Sequence, residues 1–273
     1  MVAFDRKNAE EIEAWYRSEA GRACLRLQMN LILRLLQPRP GERLLDVGCG
    51  TGMHLQLFKR EGLSVTGLDP SPAMLEVARN RMGRWAELHP GRAEDLPFED
   101  NDFDLVTMIS TLEYVDDLKA AVAEAFRVAR RRVFIGVLNS LSLTALAGRI
   151  KALFNRGLEV RPFSLWGLQS TLQGMADPAG MRWATVGTLP QKLAGYTTAF
   201  ESASFMGHSP LGAFLGLAAD VTYTWRTDNL KVKAGLRLAG NPTPAPTLNA
   251  SRSFHLEDLS GRGAAPPAGE ART

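Results

Sequence analysis

From Leu44 to Gly52 the chain reads Leu-Leu-Asp-Val-Gly-Cys-Gly-Thr-Gly, three alternating glycines directly after a short apolar run. Without Cβ atoms, Gly48, Gly50 and Gly52 let the backbone turn sharply and let a ligand touch bare main chain. Asp69 comes seventeen residues after Gly52, closing a second apolar run, where a carboxylate can accept hydrogen bonds from both hydroxyls of a ribose. The chemistry implied is nucleotide binding at the carboxyl edge of a parallel sheet. A ligand-free strand-to-helix turn is the competing reading of the glycines, and the spacing to Asp69 argues against it. A dinucleotide fingerprint spaces its glycines as G-x-G-x-x-G, whereas here the third comes one residue early and position 53 is Met, which disfavours NAD.

Leu45–Gly52 and Asp69-Pro70-Ser71-Pro72-Ala73-Met74-Leu75 together resemble the first and second motifs of the class I S-adenosylmethionine-dependent methyltransferases. The resemblance continues through Gly91–Phe98, Phe103–Val106 and Glu124–Val128, and so covers roughly residues 40 to 140. It implies that Gly48, Gly50 and Gly52 hold the methionine portion of S-adenosylmethionine by main-chain contacts. Asp46 would place its ammonium directly or through water, Asp69 would hold the ribose, and the Ala93 amide would meet the adenine ring. Where the family often carries Asp or Asn before that alanine, this chain has Arg92; Glu94 or Asp95 then either replaces the side-chain contact or forms a solvated turn.

Methyl transfer in that family is an in-line attack on a sulfonium methyl, so the protein must chiefly position and exclude water, and a general base is optional. No catalytic residue is assigned. Ser110, expected beside the cofactor, and Thr111, Glu113 and Tyr114, expected beside the acceptor, follow the fourth strand; Asn139 closes the fifth on the same edge. Ser110 or Thr111 as a helix cap, and Tyr114 as core, are the plainer alternatives. Cys49 reads as a space-filling thiol, and His54 and His89 as structural or solvated, without metal-ligand spacing; His208 is a weaker candidate for the acceptor side.

These residues need a scaffold. Apolar runs at 43–47, 64–68, 103–109 and 132–138 alternate with helical patterns at 53–60, from Pro72 behind a Ser71 cap, and at 117–128. The order predicts an α/β fold, a doubly wound, mostly parallel, seven-stranded Rossmann-like sheet with helices on both faces. Beyond Asn139 the pattern suggests helices over 141–154 and 163–175, a strand over 181–189 and strand for most of 211–225. Residues 1–38 are expected to form a helical lid whose lead-in, 9–36, places Trp15, Tyr16, Arg17 and Gly21 over the cofactor, or else packs on the sheet as an amphipathic helix. Residues 39–239 would be the methyltransferase domain, with a substrate-covering region near 140–210, and 240–273 a disordered tail.

Of 273 residues 45% are hydrophobic and 22% charged, and the net charge of +3 is too small to argue for nucleic acid. Nor does the chain carry the Asn-Pro-Pro-Tyr or Pro-Cys sequences of the family's DNA-modifying members. The run Arg130-Arg131-Arg132 reads as a solvated loop. Two cysteines and the lack of an apolar leader suggest the cytoplasm. No stretch reaches the roughly 18 apolar residues of a membrane span, although the 141–154 segment suits peripheral membrane contact. The expected activity is methyl transfer from S-adenosylmethionine to an O, N or C atom of a small-molecule acceptor. The alternative is a non-catalytic S-adenosylmethionine or S-adenosylhomocysteine binding module that regulates or assembles, and oligomeric state stays open.

Overall fold

Ser18 divides the helical lead-in. The pattern over 9–36 reads as continuous, but the chain forms α1 (Arg6–Arg17) and α2 (Glu19–Leu36), because an extended Ser18 ends the first and caps the second, its Oγ accepting the Gly21 N–H at 3.0 Å. A Cβ on Gly21 would stand 2.0 Å from the Trp15 carbonyl oxygen, so only glycine lets the two helices meet there. α1 itself opens on a capping box between Asp5 and Asn8.

A computed structural model describes residues 4–142, 161–173, 180–187 and 210–221. After the two helices come β1 (Arg43–Val47), α3 (Met53–Arg60), β2 (Ser64–Asp69), α4 (Pro72–Met82), β3 (Ala86–Pro90), β4 (Phe103–Ile109), α5 (Leu118–Val128), β5 (Ala129–Leu138), α6 (Leu165–Leu172), β6 (Met181–Val186) and β7 (Phe214–Asp220). The strands make one sheet in the order β3-β2-β1-β4-β5-β7-β6, with β7 running against both its neighbours. β1 lies between β2 and β4, Val47 level with Leu68 and Met108, so the chain departs from β1 to both sides and opens a crevice at the carboxyl ends. Each face is sealed by its own core: Leu25, Met29, Phe58 and Phe134 on the side of α2 and α3, and Val106, Val122, Ala125 and Leu168 on the side of α5 and α6. Among the described residues no helix is long and apolar enough to cross a membrane.

Several elements differ from their expected form. β3 escapes the pattern because it is a half-buried edge strand, Ala-Glu-Leu-His-Pro, with no continuous apolar run. The three arginines are no solvated loop: they sit inside β5, where Arg131 reaches Glu42 at 2.8 Å and the buried Arg132 pairs with Asp220 and donates to the Leu36 carbonyl at 2.6 Å. Arg131 and Arg132 join β5 to the end of α2, to Glu42 ahead of β1 and to β7, while the exposed Arg130 pairs with Asp104 of β4 at 3.3 Å. α4 turns Met74, Leu75, Ala78 and Met82 inward, leaving Ala73 and Val77 half-buried. β6 stops at Val186 before Gly187 at φ +78°, and β7 ends at Asp220, one residue before Val221, while Thr222–Trp225 lie outside the described residues. Residues 143–160, His208 and the expected tail lie outside the described residues.

Candidate functional site

The glycine loop is pinned to the sheet before it meets any ligand. The Gly48 and Cys49 N–H groups both donate to the Leu68 carbonyl, at 2.7 and 3.0 Å, and Gly48 and Gly50 hold φ of +76° and +52°. Thr111 packs directly on Gly48: its Oγ1 donates to the Val47 carbonyl at 2.8 Å, and a Cβ on Gly48 would stand 2.4 Å from that oxygen. Gly50 is different, with nothing within 4 Å of where its Cβ would be, so its main chain faces open space. Asp69 ends β2 beside it and accepts the Gly50 N–H through Oδ2 and the Ser71 N–H through Oδ1, each at 2.9 Å. Each carboxylate oxygen spends one lone pair on the loop and keeps another for a ligand.

Above this floor is a cavity of about 640 Å³. Gly48, Cys49, Gly50 and Asp69 form its base, Met74 and Arg92–Glu94 one side, and Ile109–Thr111 with Tyr114 and Val115 the other. Its roof is the N-terminal pair of helices, which contribute Ile12, Trp15, Tyr16, Ala20, Cys24 and Leu27. Three contacts hold the roof down. Ser71 Oγ donates to the Phe4 carbonyl at 2.7 Å, Phe4 meets Tyr114 edge-on at 5.0 Å, and Arg81 bonds both Thr51 of the loop and, at 2.6 Å, Glu13 of α1. The Glu13–Arg81 pair joins residues 68 apart in the chain, so no local pattern foretells it.

This donor set fits S-adenosylmethionine: bare main chain at Gly50 facing open space, a carboxylate with two free lone pairs for ribose hydroxyls, and apolar walls on either side. The family described as a methyltransferase domain matches residues 45–135. The chain is 37% identical over 133 residues to the malonyl-[acyl-carrier protein] O-methyltransferase of Serratia marcescens, covering 47% of this chain and 52% of that one. It is 30% identical over 167 residues to the 2-phytyl-1,4-naphtoquinone methyltransferase of Trichormus variabilis, covering 58% of this chain and 67% of that one. The chain belongs to the class I S-adenosylmethionine-dependent methyltransferases. It spans about half the length of the Serratia relative. A solved S-adenosylmethionine-dependent methyltransferase from Thermotoga maritima shares the fold at a TM-score of 0.60 and 22% identity, over 79% of this chain and 96% of that one.

The residues singled out in the sequence divide into two groups. Gly48, Gly50, Asp69, Arg92, Ala93, Glu94, Ser110, Thr111 and Tyr114 all border the cavity. Arg92 is held at 2.6 Å from Asp116 and 3.2 Å from Glu94, whose Oε1 also accepts the Asp116 N–H at 2.9 Å, so Glu94 stiffens the rim, while residues 92–95 form a turn in which Asp95 is exposed. Ser110 takes φ +52° and gives its N–H to the Gly136 carbonyl at 2.7 Å, a strained turn at the site's edge.

The second group lies off the wall. Asp46 is buried beneath the loop, accepting the Thr107 hydroxyl at 2.7 Å, and burial pushes its carboxyl up to about 7. Gly52 caps α3 against Ala78. Glu113 and Asn139, expected at the acceptor, are both turned inward to hold backbone: Glu113 accepts the Leu138 N–H at 2.7 Å, and Asn139 donates to the carbonyls of Pro210 and Gly212 at 2.6 and 2.7 Å. Cys49, by contrast, lies on the cavity floor but is packed as a space-filler, its thiol raised by burial and by the carboxylates of Asp46 and Asp69. Among the described residues no cluster of His, Cys, Asp and Glu is arranged to hold a metal ion.

Glu113 leads to a pH prediction. Its Oε2 is buried without a partner, and burial raises its carboxyl to about 7, above the ordinary 4.5. A group bound more tightly to its proton in the folded state contributes stability below the ordinary value and loses it as pH rises through the folded one. Urea unfolding should therefore show the wild type losing about 1–3 kcal/mol relative to Glu113→Gln between pH 5 and pH 8. Parallel curves for the two proteins over that range would contradict the assignment.

Proposed function

We propose that this chain transfers a methyl group from S-adenosylmethionine to an O, N or C atom of a small-molecule acceptor. The observation that carries the reading is the pairing of a bare glycine loop with the Asp69 carboxylate under a roofed cavity of about 640 Å³. When bound, the cofactor would supply a methyl already activated on a sulfonium, which leaves positioning to the protein. Gly48 and Gly50 would hold the methionine portion, Asp69 the ribose, and Ala93 with its neighbours the adenine. The roof, locked by Arg81 and Ser71, excludes water and keeps the acceptor beside the cofactor. The names of the relatives, a malonyl-carrier O-methyltransferase and a naphthoquinone methyltransferase, support a small acceptor.

The test is turnover. Incubation with methyl-labelled S-adenosylmethionine and a panel of small hydroxyl, amine and quinol acceptors should yield one labelled product class together with S-adenosylhomocysteine. Tight cofactor binding with no label transferred to any class would contradict an enzyme and favour a binding module.

A further inference from the structure

The two helices of the roof are held in different ways. α2 buries Leu25, Met29, Ile32 and Leu36 in the core. α1 fully buries only Ala9 of its twelve residues, and Ile12, Trp15 and Tyr16 border the cavity, Tyr16 also packing against the core beside α2 and α3. A helix this short is marginal without packing, so α1 depends on a few specific ties to the body of the domain.

The tie that reaches furthest into the site is Arg81 of α4. It stands behind the glycine loop: Nη1 donates to the Thr51 carbonyl and, at 3.1 Å, to Thr51 Oγ1, while Nη2 donates to Glu13 Oε2 of α1 at 2.6 Å. Both partners of this ion pair are largely buried, each with 13% of its side chain exposed. Thr51 borders the cavity on its other side, and Gly52 after it packs on Ala78 and Met82 of the same helix as Arg81. One layer of backbone therefore separates the cavity from Arg81, and one ion pair separates Arg81 from α1.

Resting on the cofactor reading of that loop, we propose that Arg81 is a positioning residue that couples the loop to α1: a cofactor seated on the loop steadies Thr51 and, through Arg81 and Glu13, steadies the helix above it. The guanidinium suits this task, because its planar fork holds a carbonyl and a carboxylate at once in fixed geometry. Glu13 keeps its Oε1 buried with no partner among the described residues, so that oxygen regains hydration when α1 lifts; the bridge ties the helix down without making it immovable. The coupling is reciprocal, and an anchored α1 strengthens cofactor binding by the factor by which the cofactor steadies α1.

The experiment is hydrogen exchange of the full chain, read by mass spectrometry with and without saturating S-adenosylhomocysteine, with affinity measured by calorimetry on the same samples. In the wild type, exchange over residues 10–17 should slow at least about fivefold on saturation. Glu13→Ala leaves both Arg81–Thr51 bonds in place, so it should still bind and still slow exchange over residues 44–55, while the slowing over 10–17 falls below about twofold. Glu13→Gln, which keeps an oxygen for Nη2, should recover most of the effect. A merely structural Glu13 would speed α1 exchange equally with and without the ligand, leaving the ligand-induced factor at its wild-type value. That outcome would overturn the coupling, as would wild-type binding with exchange over 10–17 unmoved, and the wild-type result stands whether or not either variant folds. Failure of S-adenosylhomocysteine to bind would sink the cofactor reading and the coupling with it; binding with α1 unmoved sinks the coupling alone.

Discussion

Asp69→Ala should bind S-adenosylhomocysteine about ten- to hundredfold more weakly than the wild type, a loss of roughly 1–3 kcal/mol, while keeping a cooperative thermal unfolding transition. The carboxylate serves two sides at once. Toward the protein it accepts the N–H groups of Gly50 and Ser71, which sets the curvature of the loop and the start of α4; toward the cavity its remaining lone pairs are left for the proposed ribose hydroxyls. Asp69→Asn separates these, because an amide oxygen can keep one loop contact but offers a donor where the other oxygen accepted. The asparagine variant should therefore unfold closer to the wild type than the alanine variant, yet bind almost as poorly. Calorimetry on the three proteins checks both statements, and wild-type affinity in Asp69→Ala would remove the ribose assignment.

The second large effect distinguishes two glycines that look alike in the sequence. Gly48→Ala forces a Cβ to within 2.4 Å of Thr111 Oγ1 at a backbone φ of +76°, and Thr111 cannot yield without giving up its bond to Val47. Left-handed strain of about 1–2 kcal/mol and overpacking of about 1–3 kcal/mol together predict a stability loss of roughly 2–5 kcal/mol. Gly50→Ala has open space for its Cβ, so it should lose only about 1 kcal/mol to the φ of +52°, but that Cβ enters the cavity where the cofactor would lie. Chemical unfolding should rank Gly48→Ala far below Gly50→Ala, while both lose S-adenosylhomocysteine binding by at least about tenfold. A Gly50→Ala variant with intact affinity would mean that the loop does not carry the ligand.

Much of this arrangement could be read from the chain because buried parallel strands announce themselves. Arg43–Val47 and Phe103–Ile109 are mostly apolar runs bounded by turn residues, and the helices around them start on recognisable signals, Ser71 with Pro72 and Asp117 among them. Likewise the glycine loop and Asp69 are legible because main-chain ligand contact needs residues that little else needs.

What the sequence hides is where an individual polar side chain spends its hydrogen bonds. Glu113 and Asn139 lie at the carboxyl edge, as the strand ends suggested, yet each is turned inward to hold backbone, an outcome fixed by strand neighbours far away in sequence. The arginine run looks like a solvated loop for the same reason, since its partners Glu42 and Asp220 come from distant segments. The roof is likewise a product of long-range pairing, through Glu13, Arg81 and Phe4, that no motif marks.

The most direct test of the central claim is a calorimetric titration of the full chain with S-adenosylmethionine, S-adenosylhomocysteine and NAD in parallel. The structure predicts that both sulfur nucleotides bind at one site per chain, in competition with each other, and that NAD releases no heat. Binding of NAD in preference to the sulfur nucleotides, or no binding of S-adenosylhomocysteine, would contradict the assignment of the glycine loop and Asp69 as the cofactor site.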